Sequence, residues 1–177
     1  MMLTEHFSLE ELCVSDTAVR LGIDNTLRDP IVLANLQTTA EGLEQVRRVL
    51  GYPMRSLSGY RCEELERVLT AKDFAAWCHR HGKIAGDHYP AESTAAAWRE
   101  YYARKAHPQG YATDFICPAF GPPVEIVQIL RKSGIKFDQL IGEGSWVHAS
   151  FDPRLRGQVL TATFAKDGTP NYETAAA

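Results

Sequence analysis

Asp114 is the one ionisable residue in an otherwise nearly apolar run, Ala112-Thr113-Asp114-Phe115-Ile116-Cys117. A carboxylate in such a strand has to be paired, hydrogen-bonded or bound to a cation. Taken alone it reads first as a salt bridge to an arginine such as Arg61, or as an exposed edge position. His107 stands seven residues upstream, in His107-Pro108-Gln109-Gly110-Tyr111, where Pro108 and Gly110 permit a tight loop that folds the imidazole back beside the carboxylate. A converging imidazole and carboxylate are two of the three protein ligands that a catalytic zinc site uses, the fourth position going to water. Trp146-Val147-His148-Ala149-Ser150-Phe151 offers the third. Its alternation places Val147, Ala149 and Phe151 on one face and Trp146, His148 and Ser150 on the other, so the apolar face goes to the core and His148 toward a cleft. Glu143, in Gly142-Glu143-Gly144-Ser145, adds a carboxylate five residues before His148. Singly, His148 would pass for a structural histidine and Glu143 for a polar turn residue.

The elements that must position these residues can be read from punctuation and period. Ser8-Leu9-Glu10-Glu11 is a capping box that starts a short helix, and Ser15 or Asp16 caps a second that Gly22 ends. After Asp29-Pro30, Leu33, Leu36, Ala40, Leu43, Val46 and Leu50 recur at helical steps until Gly51 and Pro53. Met54–Arg61 has strand character with Gly59 as a candidate bulge. In that strand Ser58 and Tyr60 share one side and Gly59 and Arg61 the other. Residues 62–70, 73–81 and 91–106 read as helices, with turn residues at 82–90. Strands are expected at 112–117, 137–141, 146–151 and 158–164, a helix from Pro122-Pro123 to Lys132, a turn at Asp167-Gly168 and a frayed tail at 169–177. Helices first and strands later suggest α+β.

The 177 residues are 45% apolar and 23% charged, which suits one soluble globular domain. Nineteen basic against 22 acidic residues give a net charge of −3 with no like-charge run, so a nucleic-acid footprint is missing. No stretch approaches a membrane span and the start lacks a signal-peptide pattern, so synthesis in a cytoplasm is expected. Cys13, Cys62, Cys78 and Cys117 contain no CxxC pair and read as free thiols.

Taken together the chain resembles the zinc D-Ala-D-Ala peptidase family, peptidase M15, and within it the phage-type peptidoglycan peptidases. The resemblance is carried by Ser58-Gly59-Tyr60-Arg61, by His107 with Gly110, Ala112 and Asp114, by Phe137-Asp138-Gln139-Leu140-Ile141 with Glu143, and by Trp146-Val147-His148-Ala149-Ser150-Phe151. The opening Leu3 to Leu12, Gly22 to Thr26 and Val159 to Ala162 also look like that subgroup. It implies one α+β domain over 1–177 of the Hedgehog/DD-peptidase kind, a small antiparallel sheet with the N-terminal helices packed on it. It further implies one zinc ion held by His107, Asp114 and His148, with Glu143 as the base and Asp138 as the fallback. Arg61, with Ser58 and Tyr60, would bind substrate, the guanidinium gripping a carboxylate. The implied partner is a peptidoglycan stem peptide, cut by a monomer between L-Ala and D-Glu, in a phage or prophage lysis protein that acts on the wall after release. Cleavage before a terminal D-Ala, or a non-catalytic zinc-stabilised binding module, are the other readings.

Two features depart from the family pattern. Lys105 stands where a serine is expected, two residues before the first zinc histidine. The stretch from about 63 to 105 is a helical insert that carries Cys78, His79, His81 and His88. It could hold a second metal, but reads better as a flap over the cleft, with Trp77, Trp98, Tyr101 and Tyr102 as its packing.

Overall fold

The computed structural model describes residues 1–83, 91–164 and 170–174. His88 and the Asp167-Gly168 turn lie outside the described residues. The N-terminal helices are α1 (Leu9–Cys13), α2 (Asp16–Leu21) and α3 (Pro30–Leu50). Ser8 Oγ accepts from the Glu11 amide and Ser15 Oγ from the Ala18 amide, as their caps require. Asp29 Oδ1 accepts from the amides of Ile31 and Val32, Pro30 supplies a preset first turn, and Gly51, at φ 73°, ends α3 in a left-handed conformation. The α3 stripe of Leu36, Ala40, Leu43, Val46 and Leu50 is buried, so the three- and four-residue period does mark its core face.

Next come β1 (Arg55–Ser58), α4 (Glu63–Leu69), α5 (Ala71–Arg80), α6 (Ala91–Tyr102) and β2 (Ala112–Ile116). They are followed by α7 (Pro123–Leu130), β3 (Gln139–Glu143), β4 (Trp146–Ser150), β5 (Gln158–Phe164) and β6 (Pro170–Thr174). The strands form one sheet in the order β1-β2-β4-β3-β5-β6, which makes the architecture α+β. Four neighbouring pairs are antiparallel and β3–β5 is parallel, so the sheet is mixed. The return to a parallel strand is pinned by Asp138, which accepts two hydrogen bonds from the Arg156 guanidinium and one from the Arg156 amide.

One sheet face packs on α3 and α7. Its residues Phe115, Leu140, Val147 and Ala149 join Leu36, Leu43, Ile126 and Leu130 in the main core. Helices α5 and α6 build a second small core from Trp77, Cys78, Ala97, Trp98 and Tyr101, with Tyr102 packed against it, so these aromatics do serve as packing. All four cysteines are free.

Two expectations are corrected. Residues 170–174 are not a frayed end but an edge strand on β5, its register running from Leu160↔Thr174 to Phe164↔Pro170. The strand expected to reach Arg61 stops at Ser58, and its irregularity falls between Ser56 and Ser58 rather than at Gly59. The cause is tertiary: the Tyr60 amide leaves the ladder to donate to the Leu12 carbonyl of α1. A Cβ on Gly59 would lie 2.3 Å from that same oxygen, so only glycine permits the approach. The alternation proposed for Ser58 through Arg61 therefore fails.

Candidate metal centre

The sheet face opposite the main core lines a cavity of about 560 Å³. Parity explains its composition. Asp114 and His148 are direct Cα partners across β2 and β4, and His148 in turn faces Ile141 of β3, so all three project to one side. Two residues along β3 from Ile141 comes Glu143, paired with Trp146, and both also line the cavity. Thr113, Phe115, Val147 and Ala149 alternate to the other face.

His107 arrives by a different route. It sits in the loop before β2, and its Nδ1 lies 2.7 Å from the Gly59 carbonyl oxygen. A carbonyl can only accept, so Nδ1 carries the proton and Nε2 presents a lone pair to the cavity. That lone pair is 3.2 Å from His148 Nδ1 and 3.3 Å from Asp114 Oδ1, while His148 Nδ1 is 3.0 Å from Asp114 Oδ1. With bonds of 2.0–2.1 Å to nitrogen, the edge of a tetrahedral zinc site is about 3.3 Å. The three separations fit one face of such a tetrahedron. His148 Nδ1 is also within hydrogen-bond distance of Asp114 Oδ1, so the same atoms can share either the His148 ring proton or a cation. Among the described residues this is the one cluster of three or more potential metal ligands. His81 instead stacks on Trp77.

Arg61 completes the electrostatics. Its NH2 donates to Asp114 Oδ2 at 2.5 Å, its Nε to Ser58 Oγ at 2.9 Å, and its NH1 stands 3.6 Å from Glu66 Oε2. The bare salt-bridge reading of Asp114 is thus realised through Oδ2, while Oδ1 is left facing the two imidazoles. Burial raises the Asp114 carboxyl, but its contacts with His107 and His148 and the Arg61 charge more than offset it and hold the group well below the usual carboxylate range. Burial and the Arg61 charge push the His107 imidazole down, which favours the neutral form a metal needs. Glu143 moves the other way: burial and the nearby Asp114 charge raise it, although Trp146 Nε1 donates to its Oε2 at 2.9 Å.

Not every candidate reaches the cavity. Tyr60 packs against the main core and Ser58 holds Arg61; neither lines the cavity wall. Asp138, fully buried, is saturated by Arg156 and also does not line it. Burial lifts its carboxyl, but the Arg156 hydrogen bonds outweigh that and hold it low. Three contributors escaped the sequence reading. The Gly59 carbonyl orients His107, Glu66 shares Arg61, and Tyr172 of β6 forms part of the wall. Only Gly59 had a sequence signal, as a glycine in a strand, and that signal does not reveal its partner.

Residues 5–76 match a family model described as Peptidase M15. The matched stretch contains Ser58, Tyr60 and Arg61 and ends before His107, Asp114 and His148. Comparison with curated proteins gave no match. No helix of the described residues is long and apolar enough to cross a membrane.

Proposed function

We propose that the protein is a zinc peptidase of the M15 type that hydrolyses an amide in peptidoglycan stem peptides. The observation that carries this is the convergence of His107 Nε2, His148 Nδ1 and Asp114 Oδ1 in a cavity that also holds Glu143. The family match over residues 5–76 supports it independently, because it rests on a different part of the chain. A zinc ion bound by these three residues supplies Lewis acidity for a scissile carbonyl and lowers the pKa of water to roughly 7. Glu143 then takes the proton from the attacking water and returns it to the departing amine nitrogen. Its raised pKa suits both halves of that task, and Trp146 keeps the carboxylate aimed by holding Oε2. Asp138 is a poorer base, since Arg156 stabilises its charged form. Arg61 keeps Asp114 ionised and fixes its second oxygen, leaving Oδ1 to the metal. Within this reading the favoured bond is L-Ala–D-Glu, in a phage or prophage lysis protein, with D-Ala carboxypeptidase activity as the nearest competitor.

The test is Glu143→Gln. The variant is expected to fold and to bind zinc in calorimetry, while cleavage of purified stem peptides falls at least about a hundredfold. Asp138→Asn is the comparison arm and should retain the turnover of the folded enzyme. Full hydrolysis by Glu143→Gln with loss in Asp138→Asn would reverse the assignment of the base. Mass analysis of wild-type products separates the two bonds: a new D-Glu amino terminus marks the endopeptidase, free D-Ala the carboxypeptidase.

A further inference from the structure

Five cationic side chains line the cavity: Arg61, Arg104, Lys105, Arg154 and Arg156. Four are already committed. Arg61 pairs with Asp114 and Glu66, Arg104 with Glu100, Arg154 with Asp152, and Arg156 with Asp138. Lys105 differs, because no carboxylate of the described residues reaches ion-pair distance of its ammonium. Its Nζ instead lies 4.3 Å from the Tyr101 ring centroid, an aromatic face that holds a cation in place without neutralising it. Burial pushes its ammonium down, and Glu66 and Asp73, from farther off, work against that.

The chemistry of the substrate asks for such a group. In a γ-linked stem peptide the D-Glu α-carboxylate is attached to the carbon that bears the scissile nitrogen, and a terminal D-Ala has the same arrangement. Arg61 is the residue that the family resemblance assigns to that carboxylate, yet its NH2 is held by Asp114 and its Nε by Ser58. Freeing it would strip the compensation from a buried metal ligand.

We propose that Lys105 is the substrate-carboxylate anchor of this cavity, binding the carboxylate next to the scissile amide while Arg61 serves Asp114. The inference rests on the peptidase reading of the centre. Lys105 lies two residues before His107, and both line the cavity. A lysine is a rotatable point charge rather than a planar fork, and accepts a carboxylate from more than one direction.

The experiment compares two peptides, L-alanyl-γ-D-glutamyl-L-lysine and its D-Glu α-amide. Each is bound to zinc-loaded wild type, Lys105→Gln and Lys105→Arg, with cleavage followed in parallel. The wild type should bind the acid roughly ten- to a hundredfold tighter than the amide. Lys105→Gln should lose that preference by weakening on the acid alone, and Lys105→Arg should restore most of it. Zinc titration of each variant reports the integrity of the fold. Equal binding, or none, of the two peptides by the wild type overturns the proposal, as does an equal loss on both in Lys105→Gln. An intact acid preference without any cleavage upholds the anchor and instead sinks the peptidase reading.

Discussion

Replacing Arg61 by methionine removes the permanent charge that faces two buried carboxylates while keeping a side chain of comparable length. The Asp114 side chain is 11% exposed and that of Glu66 2%, so neither can turn to water for compensation. Breaking a buried ion pair from one side costs about 3–5 kcal/mol. That is a large share of the roughly 5–15 kcal/mol that holds a domain folded. For a chain of this length it amounts to a fall in Tm of about 6–20 °C, at some 2–4 °C per kcal/mol. The assay is denaturant unfolding of metal-free and zinc-saturated protein. Zinc should narrow the deficit, because a cation at the three donor atoms takes over the neutralisation of Asp114. By the thermodynamic cycle, the folded variant then binds zinc at least as tightly as the wild type. The pH dependence follows from the same pair. Asp114 is held low in the folded state, so it contributes stability above its unfolded pKa of about 3.9, and that contribution is lost as the pH falls through its folded value. The gap between wild type and variant is therefore widest near neutrality and narrows below about pH 4. A metal-free variant within 1 kcal/mol of the wild type, or a deficit that zinc leaves unchanged, would refute the assignment of Arg61 as the counter-charge of Asp114.

Two further perturbations test the centre from other sides. His148→Ala removes a proposed ligand outright, and zinc affinity measured against a competing chelator should fall by more than the about 10–100-fold that loss of an outer partner produces; retained affinity would dissolve the centre. Gly59→Ala places a Cβ 2.3 Å from the Leu12 carbonyl, so the backbone must shift at a cost of about 1–3 kcal/mol or more. Because the Gly59 carbonyl orients His107, thermal stability and zinc affinity should drop together, and a loss of stability alone would show that the carbonyl is not the determinant.

What could be read from the sequence follows the range of the interactions concerned. Helix α3 was legible because its cap, period and stop all lie within its own segment. Strand β4 was legible because Val147, Ala149 and Phe151 against Trp146, His148 and Ser150 is a local pattern with one solution. The three proposed ligands could be nominated by residue type and by the cost of isolating Asp114 in an apolar strand. The end of β1 could not, since it depends on the Leu12 carbonyl of a helix far away in sequence. Strand β6 was hidden for a related reason: Pro170, Asn171 and Glu173 are polar and unremarkable until β5 offers an edge. Glu66 sits beside Leu65 on α4 and looks like an ordinary surface charge, but the fold leaves it 1% exposed. The parallel placement of β5 beside β3 needs the Asp138–Arg156 clamp, and nothing local to either residue announces the other.

The accuracy of the centre is inherited from strand register more than from any loop. Asp114 and His148 face each other because Ala112↔Ser150 through Phe115↔Val147 run in strict succession, and β3 adds Ile141↔His148 in the same row. A slip of one residue in the β2–β4 pair would turn Phe115 into the cavity and Asp114 into the main core. It would bury a carboxylate among Leu36, Leu43 and Val147 while exposing an aromatic ring. The core that stabilises the sheet therefore also excludes the register in which Asp114 and His148 separate. His107 has no such protection, since it belongs to a loop, and the Gly59 carbonyl does for one imidazole what the ladder does for Asp114 and His148. Selection on packing alone would maintain two of the three proposed ligands in position, whereas the third depends on a single hydrogen bond 2.7 Å long.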